Sequence, residues 1–114
     1  MDGVMVAAPE PGDQSVRMKI GVLGATGPAG RGLATRLASA GFDVVVGSRS
    51  KYRALEVVDR ILEKWPDRQL SLSAGTNHDA SWAEVVFIAT PWDAAYGTAK
   101  ECERELKGKV VISM

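Results

Sequence analysis

Three glycines with regular spacing are the first residues in this chain that could do chemistry. Gly24, Gly27 and Gly30 form a G-x-x-G-x-x-G turn after the apolar run at residues 20–23, and Pro28 suits the first turn of a helix that follows. Small residues let a backbone approach a pyrophosphate and let the helix pack closely on the strand. The spacing differs by one residue from the usual G-x-G-x-x-G, and such turns also arise from packing alone. The strand before it and the helix after it favour nucleotide binding.

The end of the second apolar run indicates which dinucleotide is bound. NAD-binding domains place an acidic residue about 20 residues after the glycines, where it accepts a hydrogen bond from the ribose 2′-hydroxyl. Here that position reads Gly-Ser-Arg, ending at Ser48 and Arg49, with Lys51 and Arg53 close behind. A hydroxyl and a guanidinium suit a 2′-phosphate. The alternative is a set of solvated cations at a helix start, where the helix dipole disfavours them.

A third group, Thr90, Pro91 and Trp92, follows the apolar run at residues 85–89. In a doubly wound sheet this turn lies beside the glycine turn, where the nicotinamide end of a dinucleotide runs. Pro91 rigidifies the strand exit, and Trp92 offers a broad flat face. Two interpretations of Trp92 stay open, a face for the nicotinamide end and a lid on the core.

The remaining reactive side chains predict neither a catalytic residue nor a metal site. His78 is the only histidine and reads as a surface loop residue, while Cys102 is the only cysteine and reads as a small buried hydrophobe. A single cysteine excludes an internal disulfide and a cysteine-built zinc site, and it suits a reducing compartment, so we expect a cytoplasmic protein. Trp65 and Trp82 are expected to pack in the core.

Length and composition predict one domain and give no indication of a nucleic-acid or membrane partner. The chain has 114 residues, 46% of them hydrophobic, and a formal net charge of +0. That balance gives no long-range attraction to nucleic acid or to a membrane surface. Residues 1–17 have no hydrophobic period and no signal-peptide features, so they are expected to form a flexible tail before a domain at residues 18–114.

The elements that must position these groups alternate between strand and helix. Such alternation predicts an α/β fold, a doubly wound parallel sheet of Rossmann-like type with strand order 3-2-1-4-5. The second strand is expected at residues 42–46 and an edge strand at 70–74, followed by a loop at 75–79 and a short helix at 80–83. One continuous helix is expected from Asp93 to about Leu106, and Ser50 is a candidate N-cap.

Several runs together resemble the N-terminal half of the F420-dependent NADP reductase family. They are the run from Met18 through the glycine turn to Ala34, the Val-Val-Val-Gly-Ser-Arg run ending at Arg49, and the Ala-Thr-Pro-Trp run ending at Trp92. Parts of this pattern also occur in the cytosolic domains of membrane metalloreductases and in relatives of pyrroline-carboxylate reductase.

The resemblance implies roles for the matching residues. Thr26, Gly27, Pro28 and Ala29 would hold the pyrophosphate of NADP, beside Gly24. Ser48 and Arg49 would take the 2′-phosphate with help from Arg53, and Trp92 would lie near the nicotinamide ribose. The family's chemistry is a direct hydride transfer between C4 of the nicotinamide and C5 of the co-substrate coenzyme F420, which requires no catalytic acid or base.

The resemblance also predicts what surrounds the domain. Members of the family continue past the fifth strand into a largely helical domain that completes the F420 pocket and a homodimer. We expect that domain to be absent from this chain, which would then be a truncated enzyme that is inactive alone. Two alternatives stay open, a non-catalytic NADP-binding module and an NADPH-dependent flavin or ferric reductase.

Overall fold

A five-stranded parallel sheet organises the computed structural model, which describes residues 18–90 and 92–113. The sheet order is β3-β2-β1-β4-β5, and every neighbouring pair is parallel, so the predicted doubly wound topology is confirmed. In chain order the elements are β1 Lys19–Leu23, α1 Pro28–Ser39, β2 Asp43–Ser48, α2 Lys51–Lys64, β3 Leu72–Thr76, α3 Asn77–Ala80, β4 Val85–Ile88, α4 Trp92–Glu101, α5 Glu103–Leu106 and β5 Val110–Ser113.

Some of the predictions fall outside the described residues. The tail at residues 1–17, Pro91 and Met114 lie there, and so do the side chains of Trp92 and Asp93. The flexible tail and the role of the Pro91–Trp92 turn therefore stay predictions. Of the helices in the described ranges, none is both long enough and apolar enough to cross a membrane.

Helices cover both faces of the sheet because its central strands are apolar on both sides. On one face α1 and α2 pack over Val22, Val44 and Val46, and on the other the segment from α3 to α5 packs over Leu23 and Val86. The buried residues of α2 recur with helical spacing and form one stripe: Ala54, Val57, Val58 and Ile61. The core therefore has two layers with the sheet between them.

The second and third strands differ from their predicted bounds. The segments that follow them therefore begin later in the chain than predicted. β2 extends to Ser48, and β3 extends to Thr76, with Gly75 opposite Gly47 and Thr76 opposite Ser48. The predicted loop at residues 75–79 is therefore wrong, and α3 begins directly at Asn77. The physical reason is a capping box in which the Thr76 hydroxyl accepts from the Asp79 amide, at 3.2 Å, and the Asp79 carboxylate accepts from the Thr76 amide, at 2.9 Å.

Two helix predictions also need correction. The helix expected from Asp93 to Leu106 is interrupted at Cys102, whose ψ of 16° leaves the helical range while its side chain is buried in the core. Ser50 occupies the N-cap of α2 as predicted but makes no capping hydrogen bond through its side chain within the described structure. Instead its amide donates to the Ser48 hydroxyl at 3.3 Å.

The two tryptophans that were expected in the core lie at the surface. Trp65 is 41% exposed and Trp82 is 66% exposed. Each lies under a cation, with the Lys109 ammonium 5.2 Å from the Trp82 ring centre and the Arg68 guanidinium 5.7 Å from the Trp65 ring centre. The expectation that both rings pack in the core is therefore wrong.

A substitution in β1 tests how tightly the sheet packs on α3. In Gly21→Ala the new methyl would overlap the carbonyl oxygen of Ala80, which is backbone and cannot turn away. We expect the free energy of unfolding in urea to fall by about 1–3 kcal/mol, the usual cost of overpacking. The matched control is Gly32→Ala on α1, where no atom lies within 4 Å of the added methyl. There helix propensity alone should stabilise the protein by roughly 0.5–1 kcal/mol, so equal effects at both positions would contradict the close packing.

Candidate cofactor-binding site

The glycine turn after β1 contacts three neighbouring elements. Gly24 has a φ of +65°, and a side chain there would overlap the methyl group of Thr90, which follows β4. The Gly24 amide donates to the side-chain oxygen of Asn77 at 3.0 Å, and the Ala25 amide donates to the Gly47 carbonyl at 2.9 Å. A glycine is required at position 24 both by the left-handed conformation and by the close approach of Thr90. The two hydrogen bonds hold the turn at the carboxyl edge of the sheet.

The N-terminus of α1 opens directly from this turn. Gly27 is the N-cap, Pro28 is the first helical residue, and no side chain of the described residues caps the helix. An added methyl on Gly27 would meet open space, whereas one on Gly30 would lie 2.7 Å from the Cα of Ala25. Gly30 thus permits the close helix packing, and Gly27 leaves the uncapped amides accessible. Such a helix end attracts anions.

Positive charge follows the tip of β2. Ser48 is buried, and Arg49, Lys51 and Arg53 are exposed after it. The first turn of α2 contains no acidic residue. Cations at a helix N-terminus destabilise the helix unless an anion binds beside them. The arrangement therefore favours a bound phosphate.

A small cavity of about 220 Å³ joins the glycine turn to α2. Its lining residues are Thr26, Arg53, Glu56, Val57 and Arg60. The structure therefore brings together two predicted site residues, Thr26 and Arg53, with Arg60 as an unpredicted second guanidinium. Ser48 and Arg49 are not among the lining residues.

A larger cavity lies elsewhere, along the outer surface between α1 and α2. It has a volume of about 750 Å³ and reaches from Pro28 and Arg31 to Trp65 and Arg68. None of the turns that follow β1, β2 and β4 contributes Gly24, Ser48 or Thr90 to its lining. Among the described residues, Pro28 is the one predicted site residue in this groove, while Gly24, Ser48, Arg49 and Thr90 are not among its lining residues, so size alone does not identify the cofactor site.

Thr90 carries an unsatisfied hydroxyl beside the glycine turn. The preceding residue is fixed, since the Ala89 amide donates to the Leu23 carbonyl at 2.9 Å. The Thr90 Oγ1 is buried, yet it has no hydrogen-bond partner among the described residues. A buried hydroxyl without a partner is costly, and a bound ligand is one way to satisfy it.

Asn77 is the site residue that sequence reasoning missed. Its side chain is buried, and besides accepting from Gly24 its oxygen lies near Gly47. The capping box at Thr76 and Asp79 holds it there, and the hydrogen bonds from Thr76 keep the pKa of the Asp79 carboxyl below its usual range. The signal was present in the sequence, because a Thr followed three residues later by an acidic residue is a helix-start pattern.

The lone histidine and cysteine lie on α3 and at the start of α5. His78 is exposed as expected, but it lies on α3 and not in a loop, with its Nδ1 3.4 Å from Glu105 Oε2. Cys102 is fully buried as expected, and burial raises the pKa of its thiol. Neither residue is among those that form the glycine turn, the β2 tip or the small cavity.

A parallel sheet in this order, with a glycine turn opening onto an uncapped helix, defines a dinucleotide-binding domain of the Rossmann type. Comparison with known proteins then identifies the family. The family described as "NADP oxidoreductase coenzyme F420-dependent" matches residues 19–114, and the chain belongs to that family. The resemblance seen in the sequence is therefore confirmed.

Curated relatives from methanogens carry the same assignment. The F420-dependent NADP reductase of Methanothermobacter marburgensis is 41% identical over 96 residues, which cover 83% of this chain and 43% of the relative. The enzyme of the same name from Methanocaldococcus jannaschii is 37% identical over 100 residues, or 85% of this chain and 44% of the relative. The chain thus spans less than half the length of these relatives.

Solved structures agree on the fold. A protein of Arthrobacter sp. FB24 assigned as an F420-dependent NADP reductase superposes with a TM-score of 0.69 at 29% identity, covering 84% of this chain and 44% of that one. The (S)-3-hydroxybutyryl-CoA dehydrogenase PaaH1 of Ralstonia eutropha superposes with a TM-score of 0.67 at 19% identity, covering 85% and 40%. The second likeness concerns the fold alone.

The unsatisfied hydroxyl yields a test by substitution. Thr90→Val keeps the shape and removes the hydroxyl, so we expect the free energy of unfolding of the cofactor-free protein to stay constant or rise by up to about 1 kcal/mol. The control is Thr98→Val on α4, whose buried hydroxyl donates to the Ala94 carbonyl at 3.1 Å. Loss of that bond should cost roughly 0.5–1.5 kcal/mol. An equal loss at Thr90, measured by urea unfolding, would show that its hydroxyl already has a partner in the protein.

Proposed function

We propose that this chain binds NADP(H) at the carboxyl edge of its sheet and supplies that half of an enzyme that exchanges hydride with coenzyme F420. The observation that carries the cofactor assignment is the tip of β2, where Ser48 is followed by the exposed guanidinium of Arg49 and by no carboxylate. A 2′-phosphate requires positive charge and donors at this place, whereas a free 2′-hydroxyl requires an acceptor.

The rest of the edge supports binding of the pyrophosphate. The uncapped N-terminus of α1 at Gly27 and Pro28 presents amides toward open space, with Thr26 and Ala29 on either side. A pyrophosphate placed there would interact with the helix dipole and with Arg53 across the small cavity. These residues fit the cofactor by the chemistry of their donors.

The nicotinamide end is assigned to the turn after β4. The Thr90 hydroxyl is buried and lacks a partner among the residues described, so a ligand group that accepts or donates there would remove its desolvation cost. In this proposal Pro91 and Trp92 continue the same wall. Their part rests on the family resemblance.

The bound cofactors supply the chemistry: NADPH, coenzyme F420 and one proton give NADP⁺ and reduced F420, with the hydride passing from C4 to C5. The chain then has to position the dinucleotide and exclude water from the transfer path. The proposal assigns no catalytic acid, base or metal to this step. It agrees with a site built from backbone, hydroxyls and guanidinium groups.

Location and assembly belong to the same proposal. A cytoplasmic location is supported by the single, buried Cys102, which suits a reducing compartment. A homodimer of the full-length protein rests on the family resemblance alone. The formal net charge of +0 gives no support to a nucleic-acid partner.

Reversal of one charge tests the phosphate assignment. In Arg49→Asp we expect the Kd for NADPH to rise roughly 10- to 100-fold more than that for NADH, because a hydrogen bond to a charged group contributes about 1.5–3 kcal/mol. The control is Arg68→Asp, the same charge change at an exposed residue after the other end of α2. Calorimetric titration with both cofactors would contradict the proposal if Arg49→Asp weakened them equally.

The acceptor is tested by turnover. With NADPH in excess, we expect loss of the absorbance of oxidised F420 in the presence of the full-length protein, and no comparable reduction of FMN or of a ferric chelate. Preferential reduction of FMN or ferric iron would favour the flavin or ferric reductase alternative. Tight NADPH binding without reduction of any acceptor by the full-length protein would favour the non-catalytic module.

A further inference from the structure

Three side chains of types that can bind metals meet between α3 and α5, away from the glycine turn and the β2 tip. They are His78, Cys102 and Glu105, and their ligand atoms all lie within 4.8 Å of one another. Cys102 is the N-cap of α5 and Glu105 lies in its first turn, so one short helix presents both toward His78 on α3. An imidazole, a thiol and a carboxylate thus converge from two elements.

The spacing of His78 and Glu105 suits a shared ion better than a direct bond. Their closest atoms, Nδ1 and Oε2, are 3.4 Å apart. A charge-assisted hydrogen bond is usually about 2.7–2.9 Å long. Two ligands at about 2.0–2.1 Å from a tetrahedral Zn²⁺ are separated by roughly 3.3–3.4 Å. The observed separation is compatible with one edge of a zinc coordination tetrahedron, and the whole cluster, whose ligand atoms lie within 4.8 Å of one another, would contract to bind the ion.

The polar atoms of the cluster are incompletely satisfied. Glu105 Oε1 is buried and has no hydrogen-bond partner in the described part of the chain, although the Glu105 side chain is only 13% exposed. His78 is 58% exposed and closes the cluster on the solvent side. The cluster is thus buried on the Glu105 side and open to solvent on the His78 side. The open side gives an ion an entry path and leaves a fourth coordination position for water.

We propose that His78 Nδ1, the Cys102 thiolate and a Glu105 carboxylate oxygen bind one zinc ion. This mixture of sulfur, nitrogen and oxygen ligands is one that zinc accepts in a tetrahedral site. Binding releases the thiol proton of Cys102 to solvent and leaves the imidazole proton of His78 on Nε2. In this proposal the chain holds a metal that the sequence analysis does not predict.

The position of the site links it to the rest of the fold. His78 follows Asn77, whose side chain accepts the hydrogen bond from the Gly24 amide at 3.0 Å. An ion at His78 would join α3 to α5 and hold the element that anchors the glycine turn. The proposal does not depend on the identity of the dinucleotide or of the hydride acceptor.

Titration of the reduced full chain with Co²⁺ tests the site. We expect one ion per chain, with the visible bands of four-coordinate cobalt and a thiolate-to-cobalt charge-transfer band in the near ultraviolet, both reversed by Zn²⁺. Cys102→Ser should lose the charge-transfer band. His78→Ala and Glu105→Gln should each weaken binding by at least about tenfold, the lower bound for loss of a supporting group around a metal.

The matched control is Glu103→Gln, which changes an exposed carboxylate of α5 that pairs with Lys100 and lies outside the cluster. It should bind Co²⁺ as the unchanged chain does. Absence of the charge-transfer band in the unchanged chain would overturn the proposal, and so would equal binding by His78→Ala. Because His78 is mostly exposed, that variant decides the question even if Cys102→Ser fails to fold.

Discussion

The close approach of the first turn to its neighbours is the constraint on which the rest of the structure depends. Gly24 is in the left-handed region, fits against Thr90 and donates to Asn77, all within one residue of the end of β1. Any side chain at this position would separate the turns after β1 and β4. The carboxyl edge of the sheet is thereby kept narrow at this turn, which leaves room for an approach to the backbone amides.

Electrostatics then give that edge its preference for anions. Both α1 and α2 begin without an acidic residue in the first turn, and neither N-terminus is capped by a side chain of the described residues. Arg49, Lys51 and Arg53 add positive charge where the α2 dipole already opposes it. This arrangement lowers local stability unless an anion binds there.

The short helix α3 lies between the glycine turn and the His78, Cys102 and Glu105 cluster. Its capping box orients Asn77 toward the glycine turn, while the next residue, His78, points to Glu105 and the region of Cys102. A four-residue helix has little stability of its own. Its position is therefore set by the hydrogen bonds at its start and by the contacts at its end, and the glycine turn and the cluster share that dependence.

Local pattern in the sequence was enough to predict the parallel sheet, the strand order, the glycine turn and the basic β2 tip, because alternating apolar runs, glycines and charges act within a few residues of one another. Tertiary structure decided what depends on distant partners. It placed Thr76 in a strand opposite Ser48, it put Asn77 on Gly24, and it exposed Trp82. The meeting of His78 with Cys102 and Glu105 belongs to the same group, because His78 is distant in the chain from the other two and only the packing of α3 against α5 brings them together.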